Sequence, residues 1–233
     1  MNVKGRTFRQ KLRVFKRLLR RRGVKYLLDF SLARLFRKFY QKPKVLPFPE
    51  ITNEVILNIR QKVTYEDFSD PHTEQSLEFV RKFAPDYILV AGAPILKSSL
   101  YGLAKHLSIN RHLGISPLYR GSDCPIWAMY NNDFENIGFT IHVLAKKADA
   151  GDILLQRRIS IDHTFDLSQS LAFISYEGSK GFIEVLEKII TGVNMDHIRQ
   201  KKGGKHYPPA TLSAIRIAHK NHAKYIKHKI EFQ

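Results

Sequence analysis

Three side chains in this sequence have the types and spacing that acyl-transfer chemistry asks for. Asn110 and His112 stand two apart in INRHLGISPLYRG, just past an apolar run, and Asp149 stands in AKKADAGDILLQ. An Asn amide is a donor that cannot lose its proton, which suits it to holding a developing oxyanion. An imidazole serves either as a cationic donor to the same oxygen or as a proton carrier, and a nearby carboxylate orients it and favours its charged form. No Ser or Cys lies in a nucleophile elbow, so a covalent acyl-enzyme is not indicated. The trio fits stabilisation of a tetrahedral intermediate whose nucleophile comes from a substrate. The bland alternative, a satisfied structural histidine after a strand, stays open on these residues alone.

The elements that must position the trio read as α/β. Asp70-Pro71 reads as an N-cap with proline at the first helical position, opening a short helix that Pro85 ends. The run from Asp86 to Ala91 is continuous in apolar residues and is expected as a parallel strand covered on both faces. A helical stretch from about Ser98 to Lys105 leads to a second strand that ends at Asn110. A third strand is expected from Phe139 to Leu144, with His142 as a structural mid-strand residue. Alternation from Ile153 to Ile161 marks a half-buried fourth strand, and a long helix runs from Asp166 to a stop at Gly192. Such alternation predicts a mostly parallel sheet with ligands at the carboxyl ends of its strands, where Asn110 and His112 fall.

Charge divides the chain unevenly. Its 233 residues carry a net +18, yet residues 1–44 hold 16 Lys/Arg against one acid, while the rest holds 23 against 20. The expected organisation is therefore a basic arm over 1–44, a catalytic domain over 45–192 and a basic C-terminal tail over 193–233. In the arm, Phe8, Leu12, Phe15 and Leu19, then Leu28, Leu32, Leu35, Phe36 and Phe39, recur at helical spacing. Two amphipathic helices follow, either packed on the domain or attached peripherally to an anionic membrane surface. No aromatic stacking pattern or helix-turn-helix spacing supports nucleic acid as a partner. One cysteine, Cys124, fits a cytoplasmic location, with the inner membrane face as the arm's possible station. His219, His222 and His228 sit among lysines without clustered carboxylates, so no metal site is expected.

Asn110-x-His112, then Pro117-x-Tyr119-Arg120-Gly121, then Asp149-x-Gly151-Asp152, resembles the formyltransferase family over roughly residues 60–192. The resemblance implies a Rossmann-like formyltransferase domain, 10-formyltetrahydrofolate as formyl donor, and an amine acceptor, with amino sugars or nucleotide-linked sugars foremost. It places Asn110, His112 and Asp149 on catalytic positions. Gly92, Ile95 and Leu96 fall on the loop that lines the folate pocket, together with Leu144, Ala148 and Gly151. Tyr119 and Arg120 either contact the acceptor or brace the loop. Formyltetrahydrofolate hydrolysis and a non-catalytic membrane-associated remnant are the alternatives.

The chain departs from the family pattern in three places. His112-Leu113-Gly114 replaces the usual His-Pro-Ser. The family's opening buried strand and glycine turn are not found before about residue 44, so a late start or a degenerate relative is expected, with a sheet edge unpaired or otherwise covered. The 41 residues after Gly192 are too few and too polar for the barrel of the methionyl-tRNA enzyme.

Overall fold

The computed structural model describes residues 2–3, 20, 23–34, 53–201 and 203–231. A four-stranded sheet forms the centre in the order β3-β4-β6-β7: β3 Tyr87–Ala91, β4 Leu107–His112, β6 Gly138–Val143 and β7 Ile153–Arg158. β3 and β4 run parallel, whereas β6 is antiparallel to both β4 and β7. Two short parallel pairs flank it: β1 (Asn2–Val3) with β2 (Asp67–Phe68), and β5 (Tyr119–Gly121) with β8 (Lys205–Tyr207). Among the described residues three of the five strand pairings are thus parallel, β6 is a member of both antiparallel ones, and the β6–β7 connection carries Asp149.

Strand parity sorts the side chains. Ile109 on β4, with Phe139 and Ile141 on β6, joins Leu154 and Val185 in a buried cluster under helix α6 (Leu167–Ile190). On the same face Arg111 donates from Nη1 to the Ser175 carbonyl at 2.9 Å and to the Ser179 hydroxyl. Asn110 and His112 on β4, and Thr140 and His142 on β6, therefore point to the opposite face. α6 starts at the expected Asp166, which caps the Gln169 amide in a capping box, and Gly192 follows its end with φ 72°. Gly178 and Gly181 let α6 press on the sheet, since a Cβ at either would meet Leu113 or Phe139 side chains.

Several expected boundaries shift. The helix expected at Asp70-Pro71 is α3, Glu74–Phe83, capped by Thr73, because the Asp70 carboxylate is spent on the His72 amide at 3.0 Å. α2 (Asn53–Lys62) precedes it, and α4 is confined to Ser98–Tyr101. β3 is not covered on both faces: it stands at one end of the strand order, and only Val90 is buried. β4 does not end at Asn110 but continues through His112, because pairing with Thr140 extends the ladder.

The C-terminal segment expected as a polar tail contributes to the core instead. α7 (Leu212–Glu231) buries Leu212, Ala214, Ala218 and His222, and packs on α5 (Cys124–Tyr130) in a second cluster with Tyr119, Tyr207 and Ile174. Small residues on one helical face allow this close approach despite the polar composition. Residues 23–34 form α1, which docks through Leu27 and Ala33, with the Tyr26 hydroxyl donating to the Pro209 carbonyl at 2.9 Å and Asp29 receiving the Ser213 amide. Leu28 and Leu32, expected on the arm's apolar stripe, lie on the exposed side of α1. Phe8, Leu12, Phe15, Leu19, Leu35, Phe36 and Phe39 lie outside the described residues. No helix among the described residues is long and apolar enough to cross a membrane.

Candidate active site

The structure gathers Asn110, His112 and Asp149, and adds His142. Asn110 and His142 are direct partners in the β4–β6 register, and Asn110 Nδ2 stands 3.1 Å from His142 Nε2. The other ring nitrogen of His142, Nδ1, donates to the Val143 carbonyl at 2.8 Å, which leaves Nε2 as the acceptor for the amide in the neutral ring. Asp149 Oδ1 lies 3.6 Å from His142 Nε2 and 3.6 Å from His112 Nδ1. One carboxylate oxygen thus bridges two imidazoles that are both buried.

Asp149 reaches that position because its turn folds back over the sheet with φ 51°, a left-handed conformation that Asp tolerates better than most residues. Its second oxygen accepts the Gly121 amide at 2.8 Å. Burial works to raise the Asp149 pKa, but the His142 ring, the charge on His112 and the Gly121 amide outweigh it and hold the group down to about 2. Asp149 is therefore an anion at any physiological pH.

His112 is enclosed. Its Nε2 donates to the Tyr119 carbonyl at 2.8 Å while Nδ1 faces Asp149. Burial lowers its pKa below that of an ordinary histidine, with Asp149 and the Tyr119 carbonyl pulling the other way. In its neutral form the ring carries its proton on Nε2 and turns the Nδ1 lone pair to the carboxylate; protonation at Nδ1 makes that contact an ion pair. The loop that supplies the Tyr119 carbonyl is pinned from below. Thr140 Oγ1 donates to the Gly114 carbonyl at 2.6 Å and receives the Ser116 amide at 3.1 Å, and Gln156 Nε2 donates to the Ser116 carbonyl at 2.8 Å. Gly114 is required there: a Cβ would stand 2.5 Å from His112 Nε2 and 2.7 Å from the Tyr119 carbonyl.

The remaining expected residues divide. Tyr119 is a core residue whose ring stacks on Tyr207 and whose hydroxyl donates to Asp133 at 2.8 Å, so it meets the site only through its carbonyl. Burial, with Asp133 beside it, raises its pKa well above the usual phenol value. Arg120 is buried and braces the chain through the Gly203 carbonyl. Gly92 (φ 64°), Ile95 and Leu96 leave β3 beside the end of β4, since Ala91 pairs with Arg111. Lys97 closes that loop by donating its amide to His72 Nε2 at 3.0 Å. Leu144 donates its amide to the Ser108 carbonyl at 2.7 Å, and Ala148 is half-buried in the Asp149 turn. Gly151 is packed against the Val143 carbonyl, where a Cβ would stand at 1.8 Å, and its own carbonyl receives Gln200 Nε2 at 2.7 Å. That carbonyl is thereby engaged within the protein. His142 was assigned a structural part by sequence. The signal that could have found it is the alternation Phe139-Thr140-Ile141-His142, whose polar members share one face.

Residues 51–186, which hold Asn110, His112, His142 and Asp149, match the formyl transferase family model. The chain belongs to the formyl transferase family. Among curated relatives it is 38% identical over 140 residues to the methionyl-tRNA formyltransferase of Thermotoga maritima, covering 58% of this chain and 43% of that protein. It is 35% identical over 94 residues to the GDP-perosamine N-formyltransferase of Brucella melitensis, covering 40% of this chain and 36% of that one. The chain thus spans less than half the length of these relatives. Among solved structures its fold is similar to the formyltransferase PseJ of Anoxybacillus kamchatkensis, crystallised with UDP-4,6-dideoxy-4-formamido-L-AltNAc and tetrahydrofolate, at TM-score 0.54 and 22% identity, covering 68% of this chain and 82% of that one. A 4-N formyltransferase of Francisella tularensis gives TM-score 0.53 at 18% identity, covering 73% and 74%.

Proposed function

We propose that this protein is an N-formyltransferase that uses 10-formyltetrahydrofolate to formylate the amine of an amino sugar, most readily one carried on a nucleotide. The observation that carries the reading is the convergence of His112 and His142 on Asp149, with Asn110 held against His142, within the family's matched region. The solved neighbour crystallised with tetrahydrofolate and a formamido nucleotide sugar, and the relative named for GDP-perosamine, support the donor and the acceptor class.

The residues present fit a flat, partly apolar donor. Ile95 is 73% exposed on the loop that leaves β3 next to the site. Covering such a side chain contributes roughly 1.5–3 kcal/mol. Bound there, 10-formyltetrahydrofolate supplies the formyl group. Asn110 Nδ2 carries two hydrogens, and His142 takes one of them, so the other is free to donate to the formyl oxygen in a fixed direction. Asp149, held near pKa 2, is too weak a base to keep a proton and serves as a fixed negative charge. His112 Nδ1 is the neighbouring basic atom. A proton shed by the attacking amine is held there as an ion pair with Asp149, while Nε2 keeps its bond to the Tyr119 carbonyl, and His112 passes it on to the donor's nitrogen as the formyl C–N bond breaks. His142 accepts the Asn110 amide, fixes its direction and is a positioning residue.

Incubating the purified chain with formyl-labelled 10-formyltetrahydrofolate tests this, with nucleotide-linked amino sugars, methionyl-tRNA or water alone offered as acceptors and products read by mass spectrometry. Label on a sugar amine is the expected result. Label released only as formate makes the protein a hydrolase, label on the tRNA replaces the acceptor, and no turnover by folded protein overturns the reading.

A further inference from the structure

A cavity of about 380 Å³ opens beside the Asp149 turn, lined by Arg120, Lys147, Ala150, Gln200, Lys201 and Gly203. Three of these are cations, and among the described residues none of the three has a carboxylate within ion-pair distance. Arg120 is 7% exposed, so its guanidinium is buried with no counter-ion among the described residues. Its Nη2 donates to the carbonyls of Gly203 at 3.1 Å and Gly204 at 3.5 Å, while its Nε has no acceptor among the described residues. Gln200 Oε1 is likewise buried without a donor, though Gln200 Nε2 is anchored on Gly151. A buried cation without its partner is costly, and one held in place by two carbonyls is set to receive an anion.

Two residues of the cavity wall are chain neighbours of the site. Arg120 immediately precedes Gly121, whose amide holds Asp149, and Ala150 immediately follows Asp149. Resting on the formyl-transfer reading above, we infer that this cavity receives a phosphate or diphosphate of the acceptor, so that the acceptor's amine is presented across the Asp149 turn. Three uncompensated positive charges match a multivalent phosphate better than a single carboxylate, and a guanidinium with two ammonium groups around it is the usual donor set for that anion. The donor's glutamate tail is the other source of an anion, and the test separates the two.

The experiment is calorimetric titration of the full chain with inorganic pyrophosphate, comparing wild type with Lys147→Ala/Lys201→Ala. Both lysines are exposed, so the fold is not at stake. Lys220→Ala/Lys224→Ala, exposed on α7, makes the same change in net charge away from the cavity. Loss of two charge-assisted contacts should weaken pyrophosphate by about tenfold or more in the first variant, and by less than about twofold in the second. Equal binding by all three proteins would place the anion on the basic surface at large and overturn the proposal. A parallel titration with 5-formyltetrahydrofolate as its monoglutamate and triglutamate should give the same ratio of affinities in wild type and the cavity variant. Loss of the triglutamate's advantage in that variant would assign the cavity to the donor's tail and overturn the proposal too. Lysine-dependent pyrophosphate binding without any folate binding would leave the anion site standing and remove the formyl-transfer reading instead.

Discussion

Asn110 and His142 face each other directly across the β4–β6 ladder, with the amide nitrogen 3.1 Å from the imidazole Nε2. The Asn110 amide is therefore aimed by a strand partner rather than by a loop. Removing the partner should loosen the amide without removing it. His142→Ala is expected to lower kcat by about tenfold, the worth of one net hydrogen bond, with a smaller change in donor affinity. Steady-state kinetics that left kcat unchanged would return His142 to a purely structural part.

Asn110→Ala removes the donor itself. A single pre-aimed donor to a developing oxyanion is worth about 10²–10³ in kcat. The loss should appear in kcat and in kcat/KM alike, because the contact matters most in the transition state. A change confined to KM, seen in the same assay, would make Asn110 a binding residue.

Asp149 ties the site to acid stability. Its folded pKa of about 2 lies below the 3.8 of an ordinary aspartate, so its contribution is fully present above about pH 4 and is lost as pH falls through 2. The size is about 2 kcal/mol by that difference. Asp149→Asn keeps an acceptor for the Gly121 amide and a side chain that tolerates φ 51°. Urea unfolding should show the variant less stable at neutral pH, with the gap to wild type closing between pH 4 and 2. A gap that stayed constant across that range would mean the lost charge is not the cause.

Gly114→Ala tests the packing over His112. The added Cβ would meet His112 Nε2 at 2.5 Å and the Tyr119 carbonyl at 2.7 Å, neither of which is a flexible chain end. Overpacking of this kind costs about 1–3 kcal/mol. Thermal unfolding should report that loss, and turnover should fall with it because the His112 ring must tilt. Wild-type stability in the variant would show that the 114–119 loop moves aside freely.

Much of the site was legible because strand parity is a local property. Asn110 and His112 share a face two residues apart, and the small residues around Asp149 mark a turn that approaches the sheet. The capping signature at Asp166 and the stop at Gly192 likewise bounded α6 without reference to anything distant. Parity also separated Thr140 and His142 from Phe139 and Ile141, yet it could not say which strand they would face.

That was decided by pairing. The antiparallel register of β4 on β6 sets His142 opposite Asn110 and Thr140 opposite His112, and the β5–β8 pairing carries Arg120 to Gly203. The same holds for α7, whose polar composition hides the narrow face that packs on α5, and for α1, where the residues turned inward are not the leucines of the obvious stripe. A residue's type and period determine which face of its own element it occupies. Which partner that face meets depends on contacts between elements far apart in the chain, and those are set only when the whole core packs.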